Sequence, residues 1–215
     1  MMFAKSPLPP SYLPLFTAEY YRSPPSAWNL ASVLLGLLAG FLGAVVVLGE
    51  VLFGLLWLRF EDVPDVQLML GLATVMMPYL MLVCLAAQIS ATLQARMRFG
   101  VPALTPVVLN LTWLAAAVFV APTLTSDPRQ QAYILAGAIV FAGLLQVLVQ
   151  LPTLWGCGFR WSFDLPAAWT PLGTVVRKLL PMLFGLAVTQ INTFLDGLIA
   201  WGLSSPSHES ELIPW

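Results

Sequence analysis

Residues 78–110 read PYLMLVCLAAQISATLQARMRFGVPALTPVVLN. This is the inner part of one apolar helix, a tight basic turn, and the start of another. The run from Leu68 to Leu93 holds no Asp, Glu, Lys or Arg, which suits a segment that must bury about 20 residues in lipid. Arg96 and Arg98 fall in a connection of a few residues before Pro102 restarts the apolar pattern. A short loop with two arginines and no acid is what the positive-inside rule assigns to the cytoplasmic face. The turn therefore predicts a transmembrane hairpin and its orientation, and the neighbouring connections can be assigned outward from it.

The composition agrees. Apolar residues make up 59% of the 215 and charged residues 9%, against roughly 25% charged in a soluble domain. The reading is an all-α integral membrane protein with about five spans, over 30–58, 68–93, 102–120, 131–154 and 179–203. A cytoplasmic Pro-rich segment (1–28) precedes them and a polar tail (204–215) follows. The Pro-rich start lacks a continuous apolar stretch of the signal-peptide kind, so the N-terminus is expected to stay in the cytoplasm. Seven of the nine bases (Lys5, Arg22, Arg96, Arg98, Arg160, Arg177, Lys178) then share one side. Arg59 and Arg129 lie on the other, with Glu61, Asp62, Asp65, Asp127, Glu209 and Glu211. No strongly basic face argues for nucleic acid. Cys84 and Cys157 lack metal-ligand spacing and are not expected to pair. The motifs of phosphate loops and zinc hydrolases are absent, and a single histidine (His208, expected to be solvated) supplies no triad. No metal or cofactor is implied, and catalysis has little support.

Attention falls on polar groups inside apolar runs, which are expensive in lipid and must face protein or water. Glu50 is one. Asn110 could reach Gln88 or a solvated cavity. Gln146 and Gln150, four apart, share a helix face and could meet neighbouring helices or water. Gln190 points away from Asn192, whereas Asn192 and Asp196 share a face. For Asn110, Gln146, Gln150, Gln190, Asn192 and Asp196, packing between helices is as good a reading as lining a translocation path; Glu50 either has a functional role or sits near enough to the outer surface to be solvated. Gly36, Gly40 and Gly43 predict close approach of a neighbouring helix. Pro78 predicts a kink, and Trp161, Phe163, Leu165 and Trp169 a segment in the interface plane of a long 155–178 connection.

Several blocks stand in order along the chain: Leu13-Pro14 with Ala18-Glu19-Tyr20; Pro78-Tyr79; Ala95-Arg96, then Arg98-Phe99, Pro102-Ala103, Pro106 and Asn110; Gln146 with Gln150-Leu151-Pro152; and Pro181, Gly185, Gln190-Ile191-Asn192 and Asp196. Together they resemble the MurJ/MviN lipid II flippase family, part of the multidrug/oligosaccharidyl-lipid/polysaccharide exporter superfamily. The likeness runs from about Tyr12 to Leu203 and matches the family's third to seventh helices. It implies a bacterial inner-membrane protein working by alternating access on a lipid-linked peptidoglycan precursor, with membrane lipids and the helices not matched here as partners. It also implies that the family's cationic cavity residues lie mainly in the unmatched helices. A polysaccharide or drug exporter of the same superfamily, or an inactive membrane scaffold or remnant, are the alternative readings.

Overall fold

The computed structural model describes residues 12–60 and 63–203. Residues 1–11, 61–62 and 204–215, and with them Lys5, Glu61, Asp62, His208, Glu209 and Glu211, lie outside the described residues. The described chain is helical throughout: α1 (Tyr12–Arg22), α2 (Pro24–Arg59), α3 (Pro64–Ala95), α4 (Gly100–Ala115), a π turn (Ala116–Val120), α5 (Ala121–Leu124), α6 (Pro128–Gly156) and α7 (Leu165–Leu203). Four stretches, 24–59, 64–95, 100–124 and 128–156, are long and apolar enough to cross a membrane. The fold is an integral membrane bundle.

Proline sets most of the helix starts. Pro24, Pro64 and Pro128 each occupy the first helical turn, where the missing N–H would have had no partner and the fixed φ favours the helix. Asp127 strengthens the third of these starts by accepting from the Arg129 N–H at 3.1 Å. The helices begin three to six residues before the apolar runs (residues 30, 68 and 131) because their first turns hold proline and polar residues, where hydropathy gives no signal. Pro78 lies inside a helix that remains continuous.

The helix ends at the basic end share one device. At the end of α3 Met97 takes φ 57°; its N–H donates to Gln94 O at 2.9 Å and that of Arg98 to Leu93 O at 2.9 Å. At the end of α6 Gly158 takes φ +87°; its N–H donates to Trp155 O at 2.9 Å and that of Phe159 to Leu154 O at 3.4 Å. Both are Schellman caps. Glycine adopts that backbone freely, whereas a side chain there costs on the order of 1 kcal/mol. Met97→Gly should therefore stabilise the chain by about 0.5–1 kcal/mol, seen as a higher melting temperature in detergent; a lower one would show that the Met97 side chain itself anchors the turn.

α3 and α6 run side by side in the same direction. Gly71 of α3 abuts the hydroxyl of Tyr133, and Gly143 of α6 would place a Cβ 2.8 Å from the Tyr79 ring and 3.1 Å from Leu82 Cβ. α2 and α4 lie antiparallel to them, α2 against α3 and α4 chiefly against α6. The expected glycine face of α2 has a different use. Gly36 admits the Phe163 ring, which a Cβ at that position would meet at 2.6 Å, while Gly40 and Gly43 have nothing within 4 Å.

Two stretches differ from the expected layout. Residues 12–22 form α1, which packs on α2 and α3. Tyr12 and Phe16 are 2% and 0% exposed and join Trp28, Ile89, Leu93 and Leu154 in the main core at the basic end. The expected 155–178 connection ends early, because Asp164 caps a helix at Leu165, accepting from the Ala167 N–H at 3.2 Å. Trp169, Arg177 and Lys178 are thus helical, and Ala168 and Leu172 pack on Leu30 and Val33 of α2. Residues 173–203 belong to a second compact unit.

At the opposite end Arg129 meets Asp65 at 3.2 Å. The pair is exposed and contributes little to stability. It does bring the α2–α3 and α5–α6 connections together, as an even number of crossings requires.

Candidate functional site

The buried polar groups form a ladder across three helices. Ser90 of α3 donates to Gln150 Oε1 of α6 at 2.7 Å, and Gln150 Nε2 donates to Gln146 O at 2.8 Å. Gln146 Nε2 then donates to Thr105 O of α4 at 2.8 Å. The four-residue spacing of the two glutamines puts both on the stripe where α3 and α4 converge. Gln146 and Gln150 are 5% and 0% exposed, and Gln146 Oε1 is buried without a partner among the described residues.

Hydrogen bonds between membrane helices are worth about 0.6 kcal/mol each on average. Ser90 can also fall back on its own helix's carbonyls. Gln150→Leu should therefore cost only about 1 kcal/mol, measured by unfolding in bicelles, and a loss several times larger would mean that the ladder is strongly cooperative.

A second network holds the α6–α7 loop. Asn29 of α2 donates from Nδ2 to Asp164 O at 2.8 Å and accepts the Asp164 N–H at 2.9 Å. Its Oδ1 also accepts from the Ser162 hydroxyl at 3.2 Å, and Ser32 Oγ accepts from the Ser162 N–H at 3.3 Å. Sequence reasoning passed over Asn29, whose signal was an amide one residue past Trp28 with no reason to face lipid.

The basic turn carries the third feature. Arg96 lays its guanidinium over the Tyr20 ring, 3.8 Å from the centroid, and its Nε is buried without a partner among the described residues. One turn back, the Tyr12 hydroxyl and Thr92 Oγ1 lie 2.9 Å apart, and burial pushes the Tyr12 phenol above its ordinary range. The stripe Gln88, Thr92, Arg96 thus faces α1. Arg98 is exposed and contributes its backbone to the cap.

This explains why Asn110 does not meet Gln88. Gln88 lies on the α1-facing stripe with its Nε2 buried and unpartnered among the described residues, whereas Asn110 is exposed on α4. Glu50 is half-buried in the far half of α2. In the second unit Gln190, Asn192 and Asp196 are exposed, and Asn192 Nδ2 donates to Asp196 Oδ2 at 3.4 Å within one helix face. The structure thus brings Gln146 and Gln150 together with Ser90 and Thr105, and leaves Asn110 and Glu50 outside that network. Among the described residues no group of His, Cys, Asp and Glu is arranged to hold a metal.

Known proteins give a consistent comparison. The family model described as lipid II flippase MurJ matches residues 1–208. A "Probable lipid II flippase MurJ" of Haemophilus influenzae is 33% identical over 222 residues, covering 93% of this chain and 41% of that protein. The "Lipid II flippase MurJ" of Burkholderia cenocepacia is 32% identical over 182 residues, covering 81% and 32%. A relative from Vibrio cholerae is 30% identical, covering 96% and 41%. The chain thus spans about two fifths or less of the length of these relatives. With its helical membrane bundle and a family match over nearly its whole length, the chain belongs to the lipid II flippase MurJ family.

Proposed function

We propose that this chain works as part of a lipid II flippase, moving the lipid-linked peptidoglycan precursor from the cytoplasmic to the outer leaflet of the bacterial inner membrane. It acts as a transporter, not an enzyme. The family match over residues 1–208 carries this reading. The described helices contribute a scaffold within one of two bundles that rock about a central cavity, with α7 completing a fifth span. A diphosphate headgroup is best held by cations in a wet cavity, and the bases of α2–α6 (Arg59, Arg129) sit at the helix ends, with Arg96 at the basic turn. The cationic site is therefore expected from helices other than α2–α6. Gln146 and Gln150 hold helices together, while Asn110, Gln190, Asn192, Asp196 and Glu50 are the groups available to a cavity or to those further helices. The basic end faces the cytoplasm, and so does the N-terminus.

Two measurements test this. In cells depleted of their own flippase, the chain co-expressed with the remaining helices of a full-length relative should restore export of lipid II, and neither piece alone should do so. Failure of the pair, with both inserted in the membrane, would favour the inactive-scaffold reading. For orientation, Met97→Cys in a background lacking Cys84 and Cys157 should react with an impermeant maleimide only after the cells are opened. Reaction in intact cells would invert the topology.

A further inference from the structure

α1 covers a stripe of α3 that is polar. Gln88, Thr92 and Arg96 follow one another at four-residue spacing and share that face. Thr92 is 1% exposed and meets the Tyr12 hydroxyl at 2.9 Å, and the Arg96 guanidinium stacks on the Tyr20 ring. Gln88 Nε2 and Arg96 Nε, by contrast, are buried with no partner among the described residues. Each of these donors has lost water without replacement, a penalty that docking of α1 imposes and its release would lift. Tyr12 and the fully buried Phe16 hold the helix down, so the docked form prevails, by a margin that the two stranded donors narrow.

The joint to α2 permits such a release. Only Ser23 separates the two helices. The Pro24 ring disfavours helical backbone at the residue before it, and Ser23 is extended at φ −157° and ψ 99°, so α1 and α2 do not fuse into one rod. A side-chain bond spans the joint, from Ser26 Oγ to Glu19 Oε1 at 2.7 Å, beside the backbone bond from the Ser23 N–H to Glu19 O at 2.8 Å. We propose that α1 is a releasable clasp: it lifts from α3 as a unit about Ser23 while residues 24–156 stay folded, and so uncovers Gln88, Thr92 and Arg96 at the basic end. Closed, it withholds the Arg96 guanidinium against an aromatic face. Open, it presents that cation and two uncharged hydrogen-bonding side chains to the solvent. The clasp concerns α1 and α3 alone and stands whether or not the flippase reading holds.

Hydrogen exchange of the whole chain in nanodiscs, read by mass spectrometry, tests the clasp. The amides of residues 16–23 should share one protection level, about tenfold or more below that of residues 84–93. Gln88→Met, similar in length but without the amide, removes one stranded donor and should slow exchange across 16–23 about fivefold, the scale of one such penalty. Ser26→Ala removes the tie across the joint without altering α3, and should speed the same exchange about threefold. It also decides the matter if Gln88→Met does not fold. Neither substitution should change exchange at residues 136–150. Protection that falls steadily towards residue 12 instead of moving as one, exchange at 16–23 as slow as at 84–93, no slowing in Gln88→Met, or no speeding in Ser26→Ala would each overturn the proposal.

Discussion

Phe16→Ala should lower stability by about 3–5 kcal/mol, the usual cost of emptying a fully buried aromatic site. Phe16 is 0% exposed, with ring centroids 5.8 Å from Tyr12, 5.5 Å from Trp28 and 6.2 Å from Tyr20. Its helix has 11 residues, below the roughly 12–15 at which even a good sequence is marginally helical in water. α1 therefore holds its shape by lying on the bundle, and the substitution should release it as a unit. The expected signature is a large drop in melting temperature in detergent and protease cleavage near Arg22, with the helicity of 24–156 retained. Tyr21→Ala is the control: that side chain is 86% exposed and should change stability by less than about 0.5 kcal/mol. If the two variants melt alike, α1 is not part of the cooperative fold.

Asn29→Leu should be nearly as damaging, at about 2–4 kcal/mol. Three hydrogen bonds to the 162–164 loop end on this one amide, and its loss leaves the Asp164 N–H and C=O without their partner, each costing on the order of 1 kcal/mol. Asn29→Asp separates the two halves of the interaction. It keeps the acceptor for the Asp164 N–H but sets a carboxylate oxygen against the Asp164 carbonyl, so it should recover little. Cys157 is free, half-buried and packed on the core beneath this loop, and its rate of thiol labelling reports loosening directly. Should Asn29→Leu label and melt like the parent, the loop is held by Phe163 in its glycine notch and not by the amide.

The membrane spans were legible because lipid imposes a coarse rule. Long charge-free runs such as 68–93 can hardly be anything else, and Pro24, Pro64 and Pro128 mark helix starts once a span is suspected. The stripe of Gln146 and Gln150 was legible as a shared face, but its partners were not. Ser90 and Thr105 are ordinary residues for apolar helices, and only three-dimensional convergence joins them. α1 was hidden by its prolines, although Tyr12, Phe16 and Tyr20 repeat at the helical period. The start of α7 was hidden because Asp164-Leu165-Pro166 is a short capping signal inside a stretch whose tryptophans suggested the membrane surface. That Asn110 does not reach Gln88 was not legible, because sequence cannot say which face of α3 meets α4 and which meets α1.

The π turn at Ala116–Val120 has a consequence for how this helix tolerates change. Its closing bond runs from the Ala121 N–H to Ala116 O, five residues back instead of four, so the turn holds one residue more than a regular helix needs. Losing a residue there would let the coil tighten into ordinary geometry, with Thr105 and Thr125 keeping their azimuths. The same loss at Leu109 would swing everything beyond it by about 100°. The third crossing thus carries built-in slack, and length variation in it should concentrate at those five positions.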